Sequence, residues 1–439
     1  MADRSTEADP VVITGMAVEA PGGVGTPEQY WALLAERRSA LVQFPADRGW
    51  PVAELLAGSC REGYTPISDL GGFLSSATEF DPSFFGISPR EAIAMDPQQR
   101  VALRQAWRAV ENGGINPDDL AGRDVGCYVG ASALEYGPPM SEFSPHSGHL
   151  LTGTSLGVIS GRIAYLLGLT GPALTVDTSC SSSLTAFHTA VTAVRDGDCD
   201  LALTGGVAVM GSPGYFVEFA KQHALSEDGR ARPYSAQPGG TVWAEGAVMF
   251  LLQRRSTAER DGHTVLAEVL ASGLNSDGTT PGLTAPSESA QARLFARAMD
   301  RAGLGPGDVD VIEGHGTGTR LGDRTELRSL AQTYGAGEPG TGPVLGSVKS
   351  NIGHAQAAAG ALGMAKVLVA AEHGQIPPTL YVEDPSTEID WRQTGLRLAR
   401  ELTDWPATAG RRVAAVSAFG MSGTNAHVIL AMPDRGAAA

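Results

Sequence analysis

Along the chain, short apolar, β-branched runs alternate with longer stretches whose apolar residues recur at helical spacing. Val11 to Met16 predicts a buried first strand. Thr26 to Ala35 predicts a short helix with Thr26 as cap and Pro27 at its first position. Residues 44 to 72, rich in Pro, Gly and polar groups, predict an irregular excursion. Asp96-Pro97 opens a long helix ending at Asn112-Gly113-Gly114, and Cys127 to Gly130 is a short strand before a loop over 131 to 149. Further strands fall at Ala173 to Val176, Asp200 to Val207, Val248 to Gln253, Val265 to Ser272, Val309 to Glu313 and Val344 to Ser347. Helices fall at Ser183 to Val194, Glu288 to Ala302 under a Ser287 cap, Thr325 to Thr333 and His354 to His373. Val413 to Ser417 and Ala426 to Leu430 predict a closing hairpin, and Pro433 to Ala439 a frayed tail.

Strands alternating with helices place the chain in the α/β class, with parallel or mixed sheets. The order of elements runs roughly twice and divides near residue 260, which predicts two similar halves, 1–260 and 261–432, before a tail at 433–439.

Composition narrows the function. The 439 residues are 42% hydrophobic and 18% charged, enough for a large core. No window approaches ~18 consecutive apolar residues, and the first ten are polar, so neither a membrane span nor a signal segment is expected. A net charge of −16 argues against non-specific nucleic-acid binding. Cys60, Cys127, Cys180 and Cys199 form no CxxC pair and no metal-ligand spacing, which predicts a reduced, cytoplasmic protein with no metal site.

Cys180 sits where the strand at Ala173 to Val176 hands over to a helix. A helix N-terminus favours the thiolate, and the small Ser neighbours leave room for a substrate carbonyl. The residue is a candidate nucleophile for acyl transfer through a thioester; a buried structural Cys is the competing reading. His315 follows a strand in a Gly/Thr loop. His354 follows another and opens a helix, which would hold its imidazole neutral. Phe419 to Asn425 is a strand-end turn with free N–H groups able to bind an oxyanion.

Together these segments resemble the β-ketoacyl synthase family, most closely the ketosynthases of modular polyketide assembly lines. The motifs that carry the resemblance are MDPQQR at 95–100, VDTSCSSSL around Cys180, GHGTGTRLGD around His315, GSVKSNIGH around Lys349 and His354, and FGMSGTNAH from Phe419. They run in order, and the resemblance spans Val11 to Leu430. It implies a thiolase-type fold: two pseudo-duplicated halves in five alternating α/β layers, the first carrying the Cys and the second both His, paired as a homodimer. It implies that Cys180 takes an acyl chain from the phosphopantetheine of an acyl carrier protein, with no cofactor bound. His315 and His354 would polarise the second thioester and stabilise its enolate. The N–H groups of Cys180 and Met421 would form the oxyanion hole. Met421, with Phe419 and Gly420 beside it, would gate the acyl pocket. Lys349 would organise the second histidine and pair with Glu326, and Asp323, Thr317, Thr319 and Asn351 would support the site.

Some positions depart from the family pattern. Tyr234-Ser235-Ala236-Gln237-Pro238-Gly239-Gly240 stands where the family reads FDADADG, so three acidic positions are Ser235, Gln237 and Gly239. Gly314 replaces the usual Ala beside the first histidine, and Arg324 the usual Pro. These changes are expected near the active-site entrance. The chain has no room for acyltransferase, reductase or carrier domains, so it is expected either to act in trans or to be an excised domain. The leading reaction is decarboxylative Claisen condensation. The alternative is aldol-type cyclisation and release of a bound β-ketoacyl chain by a non-elongating enzyme. A non-catalytic scaffold is disfavoured because the reactive residues are all present.

Overall fold

Strands covered on both faces read as near-continuous apolar runs, and all nine residues of Val11–Glu19 are buried. The computed structural model describes residues 9–59, 67–335, 340–408 and 410–434. Its main sheet has eleven strands: Val11–Glu19 (β1), Val125–Gly130 (β2), Ala173–Val176 (β3), Leu201–Ala208 (β4), Gly246–Arg254 (β5), Ala267–Ser276 (β6), Val311–Glu313 (β7), Val344–Gly346 (β8), Arg397–Leu398 (β9), Arg411–Phe419 (β10) and Thr424–Pro433 (β11). Their spatial order is β9-β8-β7-β10-β11-β6-β1-β5-β4-β2-β3.

That order contains a repeat. Outward from β1, the sequence β1-β5-β4-β2-β3 pairs antiparallel, antiparallel, parallel, parallel. Outward from β6, β6-β11-β10-β7-β8 pairs in the same four senses. Within the sheet the two halves meet where β1 pairs with β6, Val12 with Glu268 and Ile13 with Ala267.

Helices fill the spaces on either side. Pro97–Asn112 (α1) and Gly157–Leu167 (α2) cover the outer face of the first half. Ser182–Asp196 (α3) and Ala359–His373 (α7) pack on each other and on both halves, forming a middle layer. Glu288–Ala302 (α4) and Arg320–Thr333 (α5) cover the second half. A short helix, Lys349–Ile352 (α6), precedes α7. The apolar core divides into a central cluster, two outer ones and a smaller aromatic one around Phe44, Phe216 and Trp243. The arrangement is the thiolase-type fold. Among the described residues no helix is long and apolar enough to cross a membrane.

Most expected elements are present, with caps where they were read: Thr26, Asp96 and Ser287 each accept a backbone N–H at a helix start. Three expectations are corrected. The 44–72 excursion contains a helix at Val52–Ser59. His354 does not open a helix, because Gly353, at φ 81°, ends α6 and α7 begins only at Ala359. Pro433 is the last residue of β11, paired with Arg411, rather than the start of a tail. Cys60 and residues 435–439 lie outside the described residues.

Candidate active site

The turn after β3 is sharp. Ser179 holds a left-handed φ of 58°, uncommon for a residue with a side chain. Its N–H donates to Asp177 (2.9 Å), and the Ser182 hydroxyl both donates to the Ser179 carbonyl (2.6 Å) and accepts from the Thr178 N–H (2.9 Å). This lattice presents Cys180, half-buried, in a cleft of about 240 Å³. His315, His354, Phe419, Gly420 and Met421 line the same cleft, with Thr317, Thr319, Asp323 and Glu326.

The two imidazoles stand perpendicular, with ring centroids 5.3 Å apart. His315 Nδ1 accepts the Phe419 N–H (3.4 Å), and His354 Nδ1 accepts the Gln356 N–H (3.1 Å). A nitrogen that accepts carries no proton, so each neutral ring keeps its hydrogen on Nε2. Burial, then the Lys349 charge, holds both rings well below the ordinary histidine pKa, and His354 adds to the effect on His315. Both are therefore neutral at pH 7. His354 owes its position to a backbone bridge with Trp243, whose ring lies 5.1 Å away, rather than to a helix N-terminus.

The thiol behaves differently from expectation. Helix α3 starts at Ser182, two residues beyond Cys180. Burial pushes the Cys180 thiol up to about 11; the Lys349 charge and the N–H groups of Met421 and of Cys180 itself pull it back. In this pocket desolvation outweighs the helix terminus. Those two N–H groups are the expected oxyanion donors. The neighbouring ones are engaged elsewhere: Phe419 N–H on His315, and Gly420 N–H on the Thr424 carbonyl (2.8 Å).

Beneath His315 lies a buried carboxylate cradle. Glu326 accepts the N–H groups of His315 (2.7 Å) and Gly316 (2.8 Å) and the hydroxyl of Tyr234 (2.9 Å). Asp323 accepts the N–H groups of Tyr234 (2.8 Å) and Gly318 (3.1 Å), and burial raises its pKa to about 7. Thr317 and Thr319 hydrogen-bond each other at 2.9 Å.

The expected Lys349–Glu326 ion pair does not form within 4 Å; Glu326 is occupied by the cradle donors instead. A buried ion pair does form between Lys366 and Glu313 (2.6 Å), and Glu313 also accepts the Val348 N–H just before α6. Lys349 acts at a distance, its charge bearing on Cys180 and both histidines. Asn351 does not reach the cleft: its amide donates to the Arg38 carbonyl (3.0 Å). Ser235, Gln237 and Gly239 do not line it either; Ser235 packs against Asp384 and Pro385, and Arg324 pairs with Glu388 at the surface (3.2 Å). Sequence reading gave no role to Trp243 or to Tyr234, single aromatics in a loop with no periodicity to mark them.

Comparison with known proteins identifies the family. The model of the β-ketoacyl synthase N-terminal domain matches residues 8–258 and that of its C-terminal domain residues 266–383. Polyketide synthase GfsB of Streptomyces halstedii is 50% identical over 96% of this chain, which spans 8% of that protein. The pikromycin polyketide synthase component PikAIII of Streptomyces venezuelae is 50% identical over 96% of this chain, which spans 27% of it. A ketosynthase from module 6 of the bacillaene synthase of Bacillus subtilis 168 superposes with a TM-score of 0.88 at 35% identity, covering 97% of this chain and 72% of that one. The oxazolomycin ketosynthase domain OzmH KS7 of Streptomyces albus JA3453 gives 0.89 at 38%, covering 97% and 76%. Matched by both domain models and superposable on ketosynthases along nearly its whole length, the chain belongs to the β-ketoacyl synthase family of acyltransferases, close to the ketosynthases of modular polyketide synthases.

Proposed function

We propose that the protein condenses an acyl chain with a malonyl-type extender, both delivered on carrier-protein phosphopantetheine. Cys180 sulfur attacks the acyl thioester, the Met421 and Cys180 N–H groups face the resulting oxyanion, and the carrier thiol leaves. In the second half-reaction the malonyl carboxylate leaves as CO₂, and the electron pair of the broken C–C bond forms an enolate. The Nε2–H groups of His315 and His354 donate to the enolate oxygen. The enolate carbon then attacks the acyl-Cys180 carbonyl and Cys180 thiolate leaves. The observation that carries this reading is the pair of neutral, orthogonal imidazoles beside Cys180, each with Nδ1 already satisfied by a backbone N–H. Two neutral donors stabilise an enolate without protonating its carbon.

The test follows Cys180 by intact mass and CO₂ by release from a malonyl carrier supplied as a separate chain. Cys180→Ala should lose the acyl mass shift. His315→Ala and His354→Ala should keep it but form the C–C bond about 10²-fold more slowly or worse. A ring product released from a preloaded β-ketoacyl chain with no malonyl donor would replace condensation by cyclisation. An acyl shift persisting in Cys180→Ala would remove the nucleophile assignment.

We also propose a homodimer formed along β3. This strand ends the sheet, Leu174 on it is half exposed, and Met140 and Phe143 stand exposed on the 131–149 loop. A bare apolar edge strand is a pairing surface.

A further inference from the structure

We infer that the Tyr234 hydroxyl is a positioning group for His315, acting through Glu326, and that Gly314 is glycine in order to make room for it. The inference rests on the role proposed above for His315.

Tyr234 is fully buried and holds a left-handed φ of 59°. It touches both carboxylates of the cradle, its N–H on Asp323 (2.8 Å) and its hydroxyl on Glu326 (2.9 Å). Glu326 grips the backbone N–H of His315 and of Gly316, and so fixes where the imidazole starts from the chain. Two of the three donors on Glu326 are thus backbone groups of the histidine loop. The third comes from a segment 92 residues away.

Gly314 is not in a left-handed conformation, so its backbone does not call for glycine. Space does. A Cβ built there would lie 1.9 Å from the Tyr234 hydroxyl oxygen, with Glu326 Oε1 at 3.0 Å and Leu345 Cδ1 at 3.1 Å. Alanine at 314 and a hydroxyl at 234 cannot coexist without displacement. With glycine at 314 the hydroxyl occupies the space a methyl would need, and the carboxylate has a third donor.

Charge around Glu326 supports the assignment. The groups that face it are Asp323 on its own helix, Lys349 on α6, the His315 loop and Tyr234. Burial raises the Glu326 pKa; the Gly316 and His315 N–H groups, the Tyr234 hydroxyl and Lys349 oppose the rise. Burial also keeps the phenol protonated, and therefore a donor. Without the hydroxyl, Glu326 takes up its proton at a higher pH and weakens its hold on the histidine loop.

The experiment is a double-mutant cycle of wild type, Tyr234→Phe, Gly314→Ala and the pair, read by Tm, by acyl loading of Cys180 from an acetyl N-acetylcysteamine thioester, and by the pH profile of condensation on preloaded enzyme. Gly314→Ala should slow condensation about 10²-fold through displacement of the loop. The double variant should recover the Tm and most of that rate, because the methyl fills the vacated volume. Should Gly314→Ala not accumulate as soluble protein, recovery of a soluble double variant reads the same coupling. In Tyr234→Phe and in the double variant the acid limb of the condensation profile should move up by about one pH unit, with loading of Cys180 unchanged. Absence of Tm coupling overturns the volume match, and a wild-type pH profile in Tyr234→Phe overturns the positioning role. Failure of wild type to load Cys180 overturns the proposed function alone, since the Tm cycle still tests the Tyr234–Gly314 match.

Discussion

Replacing Lys349 with Met tests whether burial or local charge rules the Cys180 thiol. Lys349 is buried, and its charge is the largest of the influences that lower the thiol pKa against desolvation. With the thiol at about 11, roughly one molecule in 10³ carries thiolate at pH 8. A nearby opposite charge shifts a titration by about 1–3 pH units; the lower end, about one unit, suits an amine that forms no direct ion pair. Lys349→Met then removes about nine-tenths of the remaining thiolate. The more basic thiolate is also more nucleophilic, with a Brønsted slope of about 0.5, which returns about threefold. The net expectation is about a threefold slower alkylation by iodoacetamide between pH 7 and 9. The difference should close at higher pH, because burial lowers the pKa of Lys349 itself and the wild-type amine loses its charge. Peptide mapping separates Cys180 from the other three thiols. In wild type the logarithm of the rate should climb about one unit per pH unit up to pH 10. A plateau below pH 9 would mean that the helix N-terminus outweighs burial after all. An unchanged rate in Lys349→Met would remove the long-range role of that amine.

Met421 lines the cleft and is partly exposed, so Met421→Trp should slow loading of long acyl chains more than of acetyl; equal slowing would indicate general disruption. Lys366→Met leaves Glu313 charged and buried without its partner, which should cost about 3–5 kcal/mol and lower the Tm, while Lys366→Met with Glu313→Gln should recover part of the loss; an unchanged Tm in the single variant would show the pair to be energetically idle. Light scattering at micromolar concentration should give a dimer mass, and Leu174→Glu with Phe143→Ser should shift it toward monomer; a monomeric wild type would remove the β3 interface.

Elements with their own punctuation were readable from the chain. Asp96-Pro97 and Ser287 announce α1 and α4 because a cap is a local interaction, satisfied within three residues. The helix at Val52–Ser59 was masked by the Pro and Gly around it. His354 was misread because an Ala-rich run without a cap residue does not reveal where its helix begins, and the Gly353 turn intervenes. The candidate site residues were legible as motifs, but their electrostatics were not. Desolvation of Cys180 comes from walls built by distant segments, among them Phe219, Trp243 and Phe419. The Lys349–Glu326 pairing failed for a related reason: Glu326 is claimed by backbone N–H groups, which every residue carries and no sequence advertises.

The middle layer has a consequence for how the chain folds. From Ala359 to Ala371 every residue of α7 is buried, between one half of the sheet and the other and against α3. Such a helix has no solvent face to show while it waits for a partner. Neither half can close its core alone, since each lends one wall to the same pair of helices. Assembly must therefore bring together residues far apart in the chain before the stabilising burial is gained, which makes for slow, all-or-none folding. A chain cut near residue 260 should yield two pieces that aggregate separately, and the intact chain should melt in a single calorimetric transition despite its two-part symmetry.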